Sequence, residues 1–177
     1  MNRRGLVVAG VGAAALAGGL AVRLAVERSG AELEAQADLW HQRWPTPQGG
    51  ELAMTTLRGR PLMINFWATW CPPCVRELPA LDRLQREQGP TGWQVLALAV
   101  DDAAPVQRFL ERTPLALPIV LAGASGLDWS RRLGNEGGGL PYTIAFSAAG
   151  SVLWRHVGEI SEAELRRRAV FSTTPPK

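Results

Sequence analysis

Both cysteines of this 177-residue chain stand in one short block, Asn65-Phe66-Trp67-Ala68-Thr69-Trp70-Cys71-Pro72-Pro73-Cys74. Two thiols separated by two residues can close on each other or open to attack a third sulfur, and the attacking form is the thiolate. An apolar run of strand formers, 62–67, leads into the block, and Val75, Leu78, Leu81 and Leu84 recur every three residues after it. The pair is therefore expected at the turn between a strand and the first turn of a helix. There, N–H groups without intrahelical acceptors and the positive end of the helix dipole favour the thiolate. The chemistry this predicts is dithiol–disulfide exchange.

Plainer readings of the pair are weaker. A structural disulfide that encloses two residues restricts the unfolded chain very little, so it contributes little stability. Structural zinc needs four ligands. The pair supplies two, and His41 and His156 lie far off in no ligand-like spacing. Neither a metal nor an organic cofactor is expected; the redox-active group is the Cys71–Cys74 disulfide itself. The formal charge is +3, but the basic residues are scattered and Lys177 is the single lysine. Without a basic stripe carrying interleaved aromatics, nucleic acid is not an expected partner.

The elements that must hold the cysteines follow from the pattern on either side. Asn2-Arg3-Arg4 precedes eighteen uncharged residues, Gly5 to Val22, and then Arg23. A positive start followed by an apolar run is what secretion machinery reads. The adopted reading of residues 1–23 is an uncleaved signal-anchor with residues 5–22 in the membrane, and a removed signal peptide is the alternative. The bulk of the chain would then face outside the cytoplasm. Residues 24–37 read as a stalk or linker, helical or flexible, 38–171 as one domain and 172–177 as a disordered tail. About 145 residues beyond the N-terminal run suffice for one core.

Within the domain, 39–44 alternates like a short strand, and turn-rich 45–50 leads to another near 51–54. The first buried strand covers 61–67 and the helix after the cysteines stops at Gly89-Pro90. Residues 93–100 form a continuous apolar strand of the kind buried in a parallel sheet. Asp101-Asp102 is placed to cap a helix over 104–112. A strand at 117–121, a helix at 125–133, a hairpin of 142–146 with 152–156, and a last helix to about Val170 complete the order. This is an α/β arrangement with a terminal hairpin.

The pattern resembles the thioredoxin fold, and more closely the membrane-tethered TlpA/ResA/CcmG-like thiol–disulfide oxidoreductases of the bacterial periplasm. The likeness is carried by the block from Asn65 to Cys74, by Glu77-Leu78-Pro79, by Gly139-Leu140-Pro141-Tyr142-Thr143, by Gly150-Ser151-Val152 and by His156-Val157-Gly158. It implies a thioredoxin-like α/β fold with a central mixed sheet flanked by helices. It also implies that Cys71 attacks and Cys74 resolves, which agrees with Cys71 lying at the helix mouth and Cys74 one turn inside. Pro72-Pro73 suits the first helical positions and stiffens the loop. By the same resemblance the bond before Pro141 is cis and packs beside the cysteines. Trp70, with Pro72, Pro73 and Leu140, belongs to the surface on which partners dock. Trp67 is core, and Pro79 lies inside the active-site helix.

Thioredoxin itself carries a buried aspartate where this chain has Asn65; that acid helps move protons to and from the inner thiol, and Asn65 cannot do the same work. Glu77 is the candidate; the bland alternative is a solvated helix glutamate paired with Arg76 or a residue one turn on. The resemblance points to an exported protein-disulfide reductase at the bacterial inner membrane, single-pass, with its domain in the periplasm (or soluble there after cleavage). Its partners would be disulfide-containing exported proteins, apocytochrome c or a copper-site protein among them, in cytochrome c maturation. A membrane thiol transporter would supply electrons. The alternatives are a thioredoxin-fold peroxidase and a copper-carrying thiol protein. The former uses a single cysteine in a Thr/Ser-rich loop, and the latter spaces its cysteines by three.

Overall fold

The computed structural model describes residues 3–89 and 92–171, so the tail over 172–177 lies outside the described residues. The chain opens with a long helix, α1 (Arg3–Leu39), then a small antiparallel pair, β1 (Arg43–Pro45) and β2 (Glu51–Ala53), and a 3-10 turn (Met54–Leu57). The main sequence of elements is β3 (Leu62–Trp67), α2 (Pro72–Glu87), β4 (Gln94–Ala99), α3 (Ala103–Arg112), β5 (Ile119–Leu121), α4 (Ser125–Arg132), β6 (Tyr142–Phe146), β7 (Val152–Val157) and α5 (Glu162–Phe171).

Five strands form one sheet in the order β5-β4-β3-β6-β7. β3, β4 and β5 run parallel, whereas β6 pairs antiparallel with β3 and β7 antiparallel with β6. This is the expected mixed sheet, and every residue of β3, β4 and β6 is buried. Continuous apolar strands have this fate when helices cover both faces. Alternation splits the core in two. Met63, Trp67, Val95, Ala97 and Ala145 meet α2, α3 and α5 on one face. Leu62, Ile64, Phe66, Leu96, Leu98 and Phe146 meet the end of α1, the β1–β2 pair and α4 on the other. Trp67 is core, as expected.

One expectation about the first forty-odd residues is altered. Residues 24–37, expected as a helical or flexible stalk, lie inside a helix that continues to Leu39, and the strand expected from Leu39 begins only at Arg43. The reason is packing: Ala35, Leu39 and Trp40 are buried against the second face of the sheet, with the Trp40 ring edge-on to Phe146. Ion pairs reinforce the attachment, Asp38 with Arg132 and Glu32 with Arg155, both at 2.6 Å. Among the described residues, no helix is long and apolar enough to cross a membrane.

Candidate functional site

β3, the central strand, delivers the cysteines to the C-terminal end of the parallel strands, and the chain turns there into α2. Cys71 is the N-cap, Pro72 and Pro73 occupy the first helical positions, and Cys71 is bonded to Cys74. The first-turn N–H groups of a helix have no intrahelical acceptor, and proline has no N–H. Two of these donors are thus removed by sequence, leaving that of Cys74 itself in the first turn. Cys71 keeps 5% exposure and Cys74 none. The mouth cysteine is therefore less open than its position suggests, because in the disulfide its sulfur is turned toward Cys74 inside the core.

The loop before the cysteines is held from β4. Asp101 Oδ2 accepts the Thr69 N–H at 2.9 Å and the Thr69 hydroxyl at 2.5 Å, and Asp101 Oδ1 accepts the N–H of Asp102. The helix cap expected from this pair is thus not made by side chains: Asp102 occupies the N-cap of α3 without a side-chain bond. Asp101 anchors the approach to Cys71 instead, a role that its sequence neighbours do not signal.

Residues 137–141 close the other side. The Leu140–Pro141 bond is cis. The Pro141 carbonyl accepts the Gly158 N–H at 2.8 Å, and Asn135 Nδ2 donates to the Gly139 carbonyl at 2.9 Å, which fixes this loop. Between it and the cysteines lies an open, largely apolar groove of about 330 Å³, lined by Trp70, Cys71, Pro72, Pro73, Leu127 and Leu140 among others. Trp70 is 66% exposed. A tryptophan so exposed beside a sulfur that must be reached is a docking feature in form. The residues expected to dock partners share one groove with Cys71, and Leu127 of α4 joins them.

Glu77 departs from its bland reading. It is 2% exposed, and it is Arg76 that faces outward, pairing with Glu159 at 2.5 Å. The Glu77 carboxylate turns the opposite way, toward the sheet. Its Oε1 accepts Asn65 Nδ2 at 2.6 Å and its Oε2 accepts the Ile160 N–H at 2.9 Å. Burial pushes its pKa up to about 7; the bonds from Ile160 and Asn65 pull downward and the nearby Glu159 charge adds a smaller upward push. Cys74 and Glu77 are three residues apart, hence neighbours on one helix side. A carboxyl group that is part-ionised near neutral pH can both take and return a proton there. Among the described residues, no cluster of metal-ligating side chains occurs.

Comparison with known proteins agrees with this architecture. The family model described as Redoxin matches residues 45–169. The thiol-disulfide oxidoreductase ResA of Halalkalibacterium halodurans is 34% identical over 65% of this chain and 64% of its own length. That of Geobacillus kaustophilus is 31% identical over 68% and 67%. The chain thus spans just under two thirds of the first relative. A solved thiol:disulfide interchange protein of the thioredoxin family from Chlorobium tepidum superposes with a TM-score of 0.66 at 25% identity, over 74% of this chain and 92% of its own. A match across most of the folded domain, with a similar solved fold, places the chain: it belongs to the Redoxin family, in the branch that resembles ResA, within the thioredoxin-like superfamily.

Proposed function

We propose that the chain is a thiol–disulfide oxidoreductase that reduces disulfides of other exported proteins. The observation that carries this is the Cys71–Cys74 disulfide at the mouth of α2, opening onto the groove shared by Trp70 and Leu140. In the dithiol form the Cys71 thiolate attacks one sulfur of a substrate disulfide. That S–S bond breaks, a Cys71–substrate disulfide forms, and the first substrate sulfur leaves as a thiolate that takes a proton. Cys74 then gives its proton to Glu77 and attacks the Cys71 sulfur. The Cys71–Cys74 bond forms, the second substrate sulfur leaves as a thiolate and takes up a proton, and Glu77 gives its proton up. The substrate has gained two electrons and two protons, and a dithiol donor must return the pair to its reduced form. By the family resemblance, the substrate backbone lies along Pro141, the residue that follows Leu140 of the groove.

Cytochrome c maturation, with apocytochrome c or a copper-site protein as substrate and a membrane thiol transporter as donor, is the pathway that the family resemblance favours. The positive start and apolar run of residues 3–22 favour export with the domain in the periplasm, tethered at the inner membrane. The test is trapping. A Cys74→Ser chain lacks the resolving thiol, so exposure to an oxidised protein substrate should accumulate a disulfide-linked adduct through Cys71. Absence of any adduct with Cys74→Ser, where Cys71→Ser also gives none, would remove the exchange mechanism.

A further inference from the structure

Behind the cysteines, three side chains from three elements meet in the core: Glu77 of α2, Asn65 of β3 and Thr143 of β6, the last two paired across the β3–β6 ladder. All are buried. Asn65 Nδ2 donates to Glu77 Oε1 at 2.6 Å and to Thr143 Oγ1 at 3.0 Å, while Asn65 Oδ1, buried too, has no partner. An amide that leaves its own acceptor bare in the core is in an unfavourable position unless something fixes it. Here both of its N–H bonds are spent on one carboxylate and one hydroxyl. The accepting carboxylate draws the Nδ2 end of the amide toward Glu77, and the Thr143 hydroxyl, by accepting the second N–H, holds it there.

We infer that Asn65 and Thr143 are positioning residues that hold the Glu77 carboxylate ready to take the Cys74 proton, so that together they set the pH at which the resolving step runs. This rests on the exchange mechanism proposed above. An N–H bond to a carboxylate favours its charged form, and the Asn65 bond acts in that direction on Glu77. Among the described residues, the other charged, titratable or donor groups around this cluster come from the loop before α5, from Arg76 of α2 and from β7. Glu159 lies nearby with its charge shared by Arg76, the Ile160 N–H donates from the loop before α5, and His156 stands opposite Thr143 on β7. With Asn65 turned away or removed, the carboxylate would hold its proton to higher pH and accept less readily from Cys74.

The experiment mixes the reduced full chain rapidly with an aromatic disulfide and follows thiol release from pH 5.5 to 9. The first phase reports attack by Cys71 and the second reports resolution by Cys74. In Thr143→Val the midpoint of the second phase should move upward by about one pH unit, slowing it about fivefold at pH 7. Thr143→Ser, which keeps the hydroxyl, should restore the original profile. Should Thr143→Val fail to fold, Asn65→Ala carries the same test. A first phase missing from the unmodified chain would overturn the exchange mechanism. A first phase present, with the second-phase midpoint unmoved in Thr143→Val or Asn65→Ala, or with Thr143→Ser shifted as far as Thr143→Val, would overturn the positioning role alone.

Discussion

The carboxylate of Glu77 accepts the backbone N–H of Ile160 at 2.9 Å, a bond spanning 83 positions of the chain. It ties the helix that carries the cysteines to the loop that opens the last helix. On the outer side of the same joint, Arg76 pairs with Glu159, and Arg83 with Glu162. The inner bond differs from these exposed pairs because its carboxylate has lost its water, which is why protonation matters to folding as well as to chemistry.

The pH dependence of stability follows from that loss. Glu77 is raised to about 7 in the folded chain from an ordinary value of 4.5. Folding therefore favours the protonated form. Its contribution is fully present below about pH 4.5 and is lost as pH rises through about 7, a loss of about 3 kcal/mol. Denaturant unfolding of the oxidised protein across this window should show the decline, and Glu77→Gln should flatten it. An equally steep decline in Glu77→Gln would assign the effect to other groups.

Trp70 should matter to large substrates and little to the fold. Its ring is mostly exposed beside Cys71. Trp70→Ala is expected to change unfolding free energy by less than about 0.5 kcal/mol. It should raise KM for a protein disulfide about five- to tenfold, as the loss of an aromatic anchor does. A small aromatic disulfide should react at nearly the original rate. Parallel assays on the two substrates give the comparison.

Asp101 tests whether the loop before Cys71 must be held. Asp101→Ala removes the acceptor for both the N–H and the hydroxyl of Thr69. The expected result is exchange slowed by about tenfold through misplacement of the attacking sulfur, together with a modest fall in thermal midpoint. Stopped-flow exchange and calorimetry on the same preparation measure both.

Much of this was legible in the chain. The Cys-x-x-Cys block between an apolar run and a three-residue repeat located the strand–turn–helix, and the glycine at which α2 stops adopts the left-handed conformation at Gly89 (φ 62°) that a helix end favours. The continuous apolar run of β4 and the hairpin of β6 and β7 were equally plain. Glu77 was named only through the family resemblance, since a glutamate beside Arg76 reads equally well as solvated. Its carboxylate is held by Asn65 and by Ile160, the latter 83 positions along the chain, and no local pattern reports a contact at that separation. Residues 39–44 misled for a related reason. Leu39 and Trp40 stand side by side, and both are apolar because the end of α1 docks on the sheet.

That docking yields a stability prediction. Leu39 is fully buried in the second core cluster with Trp40 and Ala35. Leu39→Ala should cost about 2–5 kcal/mol, as large as a mid-sheet truncation, although the residue lies at the margin of the domain. A chain starting at residue 25 should match the longer one in denaturant midpoint, whereas one starting at residue 41 should lose several kcal/mol. Equal midpoints for the two truncations would show that the helix end adds nothing to the core.

The central claim is that Cys71 and Cys74 cycle as a reducing dithiol, and the reduction potential of the pair tests it most directly. Equilibrating the domain with defined thiol–disulfide buffers and counting free thiols at each poise gives the value. The account predicts a potential near that of thioredoxin, about −270 mV, low enough to pass electrons to substrate disulfides. A value near −120 mV would make the pair an oxidant and contradict the assigned direction, and a pair that exchanges with no buffer would contradict the catalytic reading itself.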